Sequence, residues 1–195
     1  MQNFSNIPAL QDGFTREWHS REDLPAGRNG LERLIIEQHL SNFRLWHEED
    51  QARTPNASAE KIVQVKRNID RLNQQRNDLI EEIDRTLLDS LRHVDTRSAE
   101  LHSETPGMMI DRLSILSLKL YHTREEAERK DASDEHRRRN LERLKILEEQ
   151  RSDLAENLRR LWDDLHAGRR RFKLYRQLMM YNDPALNPEI YRRKG

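Results

Sequence analysis

Between Ile62 and Leu91 the residues Ile62, Val65, Ile69, Leu72, Leu79, Ile83, Leu87 and Leu91 recur every three or four positions, which confines this stretch to an amphipathic helix. At 1.5 Å of rise per residue, a helix over 59–94 would be about 50 Å long. A second stripe, Leu141, Leu144, Leu147, Leu154, Leu158, Leu161 and Leu165, repeats the spacing. Hydrophobic residues make up only 34% of the chain against 36% charged, so without this spacing the composition would suit disorder; with it, the chain reads as long helices with narrow buried stripes.

Helix punctuation divides the 195 residues. A first long helix should run from Leu31 to Arg53 and stop at Thr54-Pro55, because proline lacks the amide and disfavours helix before it. Asn56 or Ser58 can cap the next helix, Thr105 can cap a third with Pro106 at its first position, and Ser133 a fourth that opens on Asp134 and Glu135. The third, rich in apolar residues all round from Met108 to Tyr121, is the helix to expect in the middle. Gly168 should end the fourth, and a short basic helix should follow over 169–181. The expected fold is all-α, an antiparallel bundle of four long helices over 31–181 with that extra basic helix. Residues 1–30 read as an irregular or partly helical arm with Trp18 docked on the bundle, and 182–195 as a tail.

Polar residues intrude on the apolar stripes. Leu31 and Ile35 share their sector with His39, Asn42, Trp46, Glu49, Asp50 and Arg53, while Asn73 and Arg76 fall within the second stripe beside Asn77 and Asp84, and Arg151 lies between Leu147 and Leu154. Inward polar groups cost desolvation unless they are paired or bind something. Two readings stand. In one, Arg53, Arg76 and Arg151 pair with Glu49, Asp50, Asp84 and Glu104 and only fix helix register, as in a structural or adaptor bundle. In the other, Asn42, Trp46, Arg53, Asn73, Arg76 and Asn77 line a pocket for an anionic sugar or nucleotide, with His39, Glu49 and Asp50 as candidates for acid-base chemistry.

Several chemistries are disfavoured. Cysteine is absent, which removes disulfides, thiolate metal sites and cysteine nucleophiles and suits a reducing cytoplasm. No Glu is followed by His three residues on, as di-iron bundles need, and His47-Glu48 lacks the second His of a zincin. Folding should therefore not require a metal; a looser Mg²⁺ site from His39, Glu49, Asp50 and Asp84 is the remaining option. Glu81-x-x-Asp84 supplies half of the signature of all-α nucleotide pyrophosphohydrolases, and the second spaced pair is missing. The 35 basic and 35 acidic residues balance, so the basic run from Arg169 to Arg176 reads as a packed surface segment, and neither nucleic acid nor membrane is expected as a partner. The N-terminus shows no signal peptide, and a homodimer through the charged ends of the second and fourth helices is the expected assembly.

Three motifs carry a family resemblance: His39-x-x-Asn42-Phe43-x-Leu45-Trp46-His47-x-Glu49-Asp50-x-Ala52-Arg53, Lys66-Arg67-x-Ile69-Asp70-x-x-Asn73-Gln74-x-Arg76-Asn77-Asp78, and Glu104-Thr105-Pro106-Gly107-x-x-Ile110-Asp111-Arg112-Leu113-Ser114-Ile115-Leu116. Over residues 30–165 the chain resembles the bacterial family called domain of unknown function 4254. The resemblance implies an all-helical protein with no assigned activity, and it carries over no catalytic residue.

Overall fold

The computed structural model describes residues 4–23, 30–178, 183 and 185–192. A 3₁₀ turn, Phe4–Asn6, leads into α1 (Ile7–Trp18), followed by α2 (Gly30–Gln51), α3 (Ala59–Ser90), β1 (Glu100–Leu101), α4 (Pro106–Glu128), α5 (Asp134–His166), β2 (Arg170–Arg171) and α6 (Pro188–Tyr191). The described chain is mostly helical, and no described helix is long and apolar enough to cross a membrane.

The helix starts follow from their caps. Ser58, Thr105 and Ser133 each stand in extended backbone and accept, at 3.2 Å, the N–H of Lys61, Met108 and His136 respectively. Asn56, the alternative cap, instead turns the chain at φ 60°. Gly168 stops α5 at φ +66°, where a β-carbon would also come within 2.6 Å of the Asp95 carbonyl.

α2 and α3 form a hairpin with opposed directions, shown by Lys61 bonding Gln51 and Asn68 bonding Glu48. α4 and α5 do the same, with Arg124 on Glu148 near the turn and Leu113 clustered with Leu158 farther along. α4 touches α1, α2, α3 and α5, as its apolar circumference requires. The largest core cluster draws on all the long helices: Ile35, Ile83, Leu87, Ile110, Leu113, Leu158 and Leu165, with Phe4 against Trp162 at 4.7 Å.

Four expectations need correction or sharpening. First, the irregular or partly helical arm expected over 1–30 contains a regular helix over 7–18: Pro8 lies in the first turn, where its missing N–H is not needed, and Phe14, Trp18 and Leu40 bury together. Second, the basic segment is not a helix. Residues 170–171 pair in parallel with 100–101, no regular structure follows over 172–178, and residues 179–181 lie outside the described residues. Its side chains are used locally: Phe172 enters the core, Arg169 pairs with Asp164, and the Gln177 N–H donates to Glu81 at 2.7 Å. Third, α2 stops at Gln51 and α3 at Ser90, two and four residues short of expectation. Fourth, Ile62 and Leu141 are exposed despite their place in the stripes, since near the hairpin ends one partner helix covers too narrow an arc to bury them.

Arg151 does not pair with the acidic residues expected for it. α1 supplies the partner: both Asp12 carboxylate oxygens lie 2.7 Å from Arg151 Nη1.

Candidate functional site

The inward face of α2 meets α4 in a polar chain that starts beneath α1. His39 is 1% exposed. Its Nε2 lies 2.9 Å from the Gln11 carbonyl, an acceptor only, so this nitrogen carries the proton; the Thr15 hydroxyl is also within 2.9 Å. Nδ1 is then the acceptor for the Ser114 hydroxyl at 2.7 Å. Ser114 in turn accepts from Asn42 Nδ2 at 3.0 Å, and the same Nδ2 donates to Asp111 Oδ1 at 2.8 Å. Gln38 donates to that oxygen as well. Burial pushes the His39 pKa down to about 4, holding the ring neutral, and raises that of Asp111 against the pull of Asn42 and Arg76.

Outward from Asp111 the chain of contacts opens. A groove of about 510 Å³ lies between α2, α3 and α4, lined by Asn42, Leu45, Trp46, Glu49, Asp50, Arg53, Asn73, Arg76, Ile115 and Leu118. Seven residues singled out from sequence therefore meet in one concave site. Arg53 is held by Glu49 one turn earlier, at 2.8 Å, both largely exposed. Arg76 is different. Among the described residues its nearest carboxylate is Asp111 at 4.0 Å, beyond hydrogen-bond reach, and its hydrogen bonds are long ones of 3.2 and 3.4 Å to Asn77. The expected pairing of Arg76 with Glu49 or Asp50 is not made.

Three candidates lie outside this groove. Asn77 is buried on α3, where its Oδ1 accepts from Arg76. His39 is enclosed beneath α1 with both ring nitrogens engaged, so it serves as a neutral crosslink in the core. Asp84 faces the start of α4, where it accepts the Gly107 N–H at 2.7 Å and a bond from the Thr105 hydroxyl. Burial raises its pKa to about 6. The anion that a helix start can receive is thus supplied by the chain itself. Glu81 is taken by the Gln177 N–H, so neither member of the Glu81-x-x-Asp84 pair is free for a magnesium-triphosphate site. His39, Glu49, Asp50 and Asp84 do not come together as ligands among the described residues.

Sequence reasoning missed Gln38, Asp111 and Ser114 as partners in this network. Asp111 and Ser114 lie three residues apart on α4, a spacing that puts both on one face and could have drawn attention to them. A larger groove of about 980 Å³ runs between α4 and α5, but two of its arginines are held in close ion pairs, Arg112 by Glu104 and Arg160 by Glu156, and Arg170 stands 3.7 Å from Asp164.

The family model described as Protein of unknown function (DUF4254) matches residues 32–174. The chain belongs to this family. The matched span of this DUF4254 member takes in α2 to α5 and every residue of the groove, and leaves out α1. No curated protein and no solved structure matches the chain.

Proposed function

We propose that the groove between α2, α3 and α4 binds an anionic small molecule of the sugar or nucleotide kind, in the cytoplasm of a bacterial cell, within an antiparallel four-helix bundle that pairs as a homodimer. The observation that carries this reading is Arg76, a guanidinium at the groove wall with no carboxylate in hydrogen-bond range among the described residues. A planar fork of donors suits a phosphate or carboxylate. Asn42 and Asn73 offer amide groups for hydroxyls, and Trp46 a ring wall. Any acid-base step falls to Glu49 and Asp50, since His39 is out of reach.

The rival reading, a structural or adaptor bundle, draws on the inner half of the network, where His39, Ser114, Asn42 and Asp111 are bonded to one another. Calorimetric titration with a panel of sugar phosphates, uronates and nucleoside phosphates separates the two. The ligand reading expects one class to bind at a single site, and Arg76→Met to weaken it by at least about tenfold, the loss of one charge-assisted contact. A panel member bound equally well by both proteins would place its site elsewhere, and no binding by any class would favour the structural reading.

A further inference from the structure

We propose that His19, His47 and His122 hold a divalent transition-metal ion, zinc foremost, at a second site behind Trp46. They come from the turn after α1, from α2 and from α4, and one ring nitrogen of each lies within 4.8 Å of the other two. Tetrahedral zinc with bonds of about 2.0–2.1 Å wants its nitrogens about 3.3 Å apart, a contraction that side-chain rotation can supply.

Two of the three rings are fixed in direction by their Nδ1 hydrogen bonds. His19 Nδ1 lies 2.7 Å from the Thr15 carbonyl, which can only accept, so Nδ1 carries the proton and Nε2 the lone pair. His122 Nδ1 bonds the Glu125 carboxylate at 2.8 Å, with the same consequence. A backbone carbonyl or a carboxylate on the far ring nitrogen is the support that metal-bound histidines have. The Nε2 atoms of both residues are buried and have no hydrogen-bond partner among the described residues. A buried lone pair left unused costs desolvation, and a metal ion would use both.

Ring packing holds the trio in place. His19 stacks on Tyr121 at 4.1 Å, His122 on Trp46 at 4.7 Å, and His47 lies edge-on to Phe43 at 4.5 Å. Three neutral nitrogen donors without thiolate or a carboxylate set suit zinc, copper or nickel better than magnesium or calcium. Three protein ligands also leave a coordination position for water or substrate. Trp46 is common to both sites, but this proposal does not rest on the groove reading. The expectation that folding is indifferent to metal came from motif spacing, which cannot register ligands 28 and 75 residues apart.

The test is titration of the untagged, chelator-treated chain with Zn²⁺ and, for its visible spectrum, Co²⁺. One equivalent should bind at micromolar or tighter dissociation constant, and Co²⁺ should give the intense visible bands of a nitrogen-ligated tetrahedral ion. His47→Gln and His122→Gln should each weaken Zn²⁺ binding by about 100-fold or more. Glu125→Gln, which touches the supporting carboxylate only, should weaken it by about tenfold. The exposed His93→Gln should change nothing. Absence of stoichiometric binding by the wild-type chain would overturn the proposal whatever the variants do. So would binding that survives His47→Gln unchanged, which would mark an adventitious surface site.

Discussion

Gly107→Ala should destabilise the protein by about 3 kcal/mol or more, lowering the melting temperature by roughly 6–12 °C for a chain of this size. A β-carbon at Gly107 would lie 2.8 Å from Asp84 Oδ1 and 2.8 Å from the Ile80 carbonyl oxygen. The carboxylate cannot simply swing away, because it is 1% exposed and holds the Gly107 N–H at the start of α4. The Ile80 carbonyl is main chain within α3 and moves only with the helix. Relief therefore requires α3 and α4 to separate where they support the core around Ile83 and Ile110. Urea denaturation of the two proteins measures the loss. A cost below about 1 kcal/mol would mean that the helices do not approach so closely. Adding Asp84→Ser to Gly107→Ala should recover little, since the main-chain clash remains.

The second large effect is a dependence of stability on pH that wild-type protein conceals. The Asp84 pKa is raised from 3.8 to about 6, so over this window the unfolded side chain is ionised while the folded one keeps its proton. Stability from this group falls as pH rises to about 6 and is level above. The His39 pKa is lowered from 6.5 to about 4, so between these values the unfolded ring is protonated and the folded ring neutral. Its contribution has the opposite sign, complete above pH 6.5 and lost as pH falls towards 4. Each shift is worth about 3 kcal/mol, and between pH 4 and 6 the two nearly cancel. Asp84→Asn removes one and exposes the other. The stability of Asp84→Asn relative to wild type should rise by about 3 kcal/mol from pH 4 to pH 7, as read from denaturant midpoints at several pH values. Parallel profiles would show that Asp84 titrates in its ordinary range.

The helices were legible because each part of the signal has a local cause: the three-four spacing that buries Ile69, Leu72 and Ile83, and the hydroxyls of Ser58, Thr105 and Ser133 that satisfy the first amides. α1 was harder to read. Pro8 and Gly13 look like breakers, but the proline lies in the first turn, and open space surrounds the position of a Gly13 β-carbon. The segment after Gly168 has amphipathic spacing, yet Arg171 pairs across to Leu101 and Glu81 takes the Gln177 amide, contacts made with residues 70 to 96 positions earlier. The groove was legible because its polar residues displace apolar ones within stripes of α2 and α3. His39 shares that stripe but lies two turns back from Trp46, under α1, and the sequence gives no sign of what covers it. The His19, His47 and His122 trio was not legible at all, since no two of its members share an element.

The proposed function requires that Arg76 is not committed to Asp111, its nearest anion among the described residues, and so is available to a ligand. A double-mutant cycle of Arg76→Met and Asp111→Asn tests this without knowledge of the ligand. Asp111 keeps the amides of Gln38 and Asn42 when the arginine is removed, and the two charges stand 4.0 Å apart, beyond hydrogen-bond reach. Arg76→Met is expected to cost less than about 1 kcal/mol, with a coupling of similar size or smaller, because the two side chains share no hydrogen bond. A closed buried pair would behave otherwise, with about 3 to 5 kcal/mol lost on removing one partner. Coupling above about 2 kcal/mol would overturn the ligand reading and make the network a device for fixing the helices.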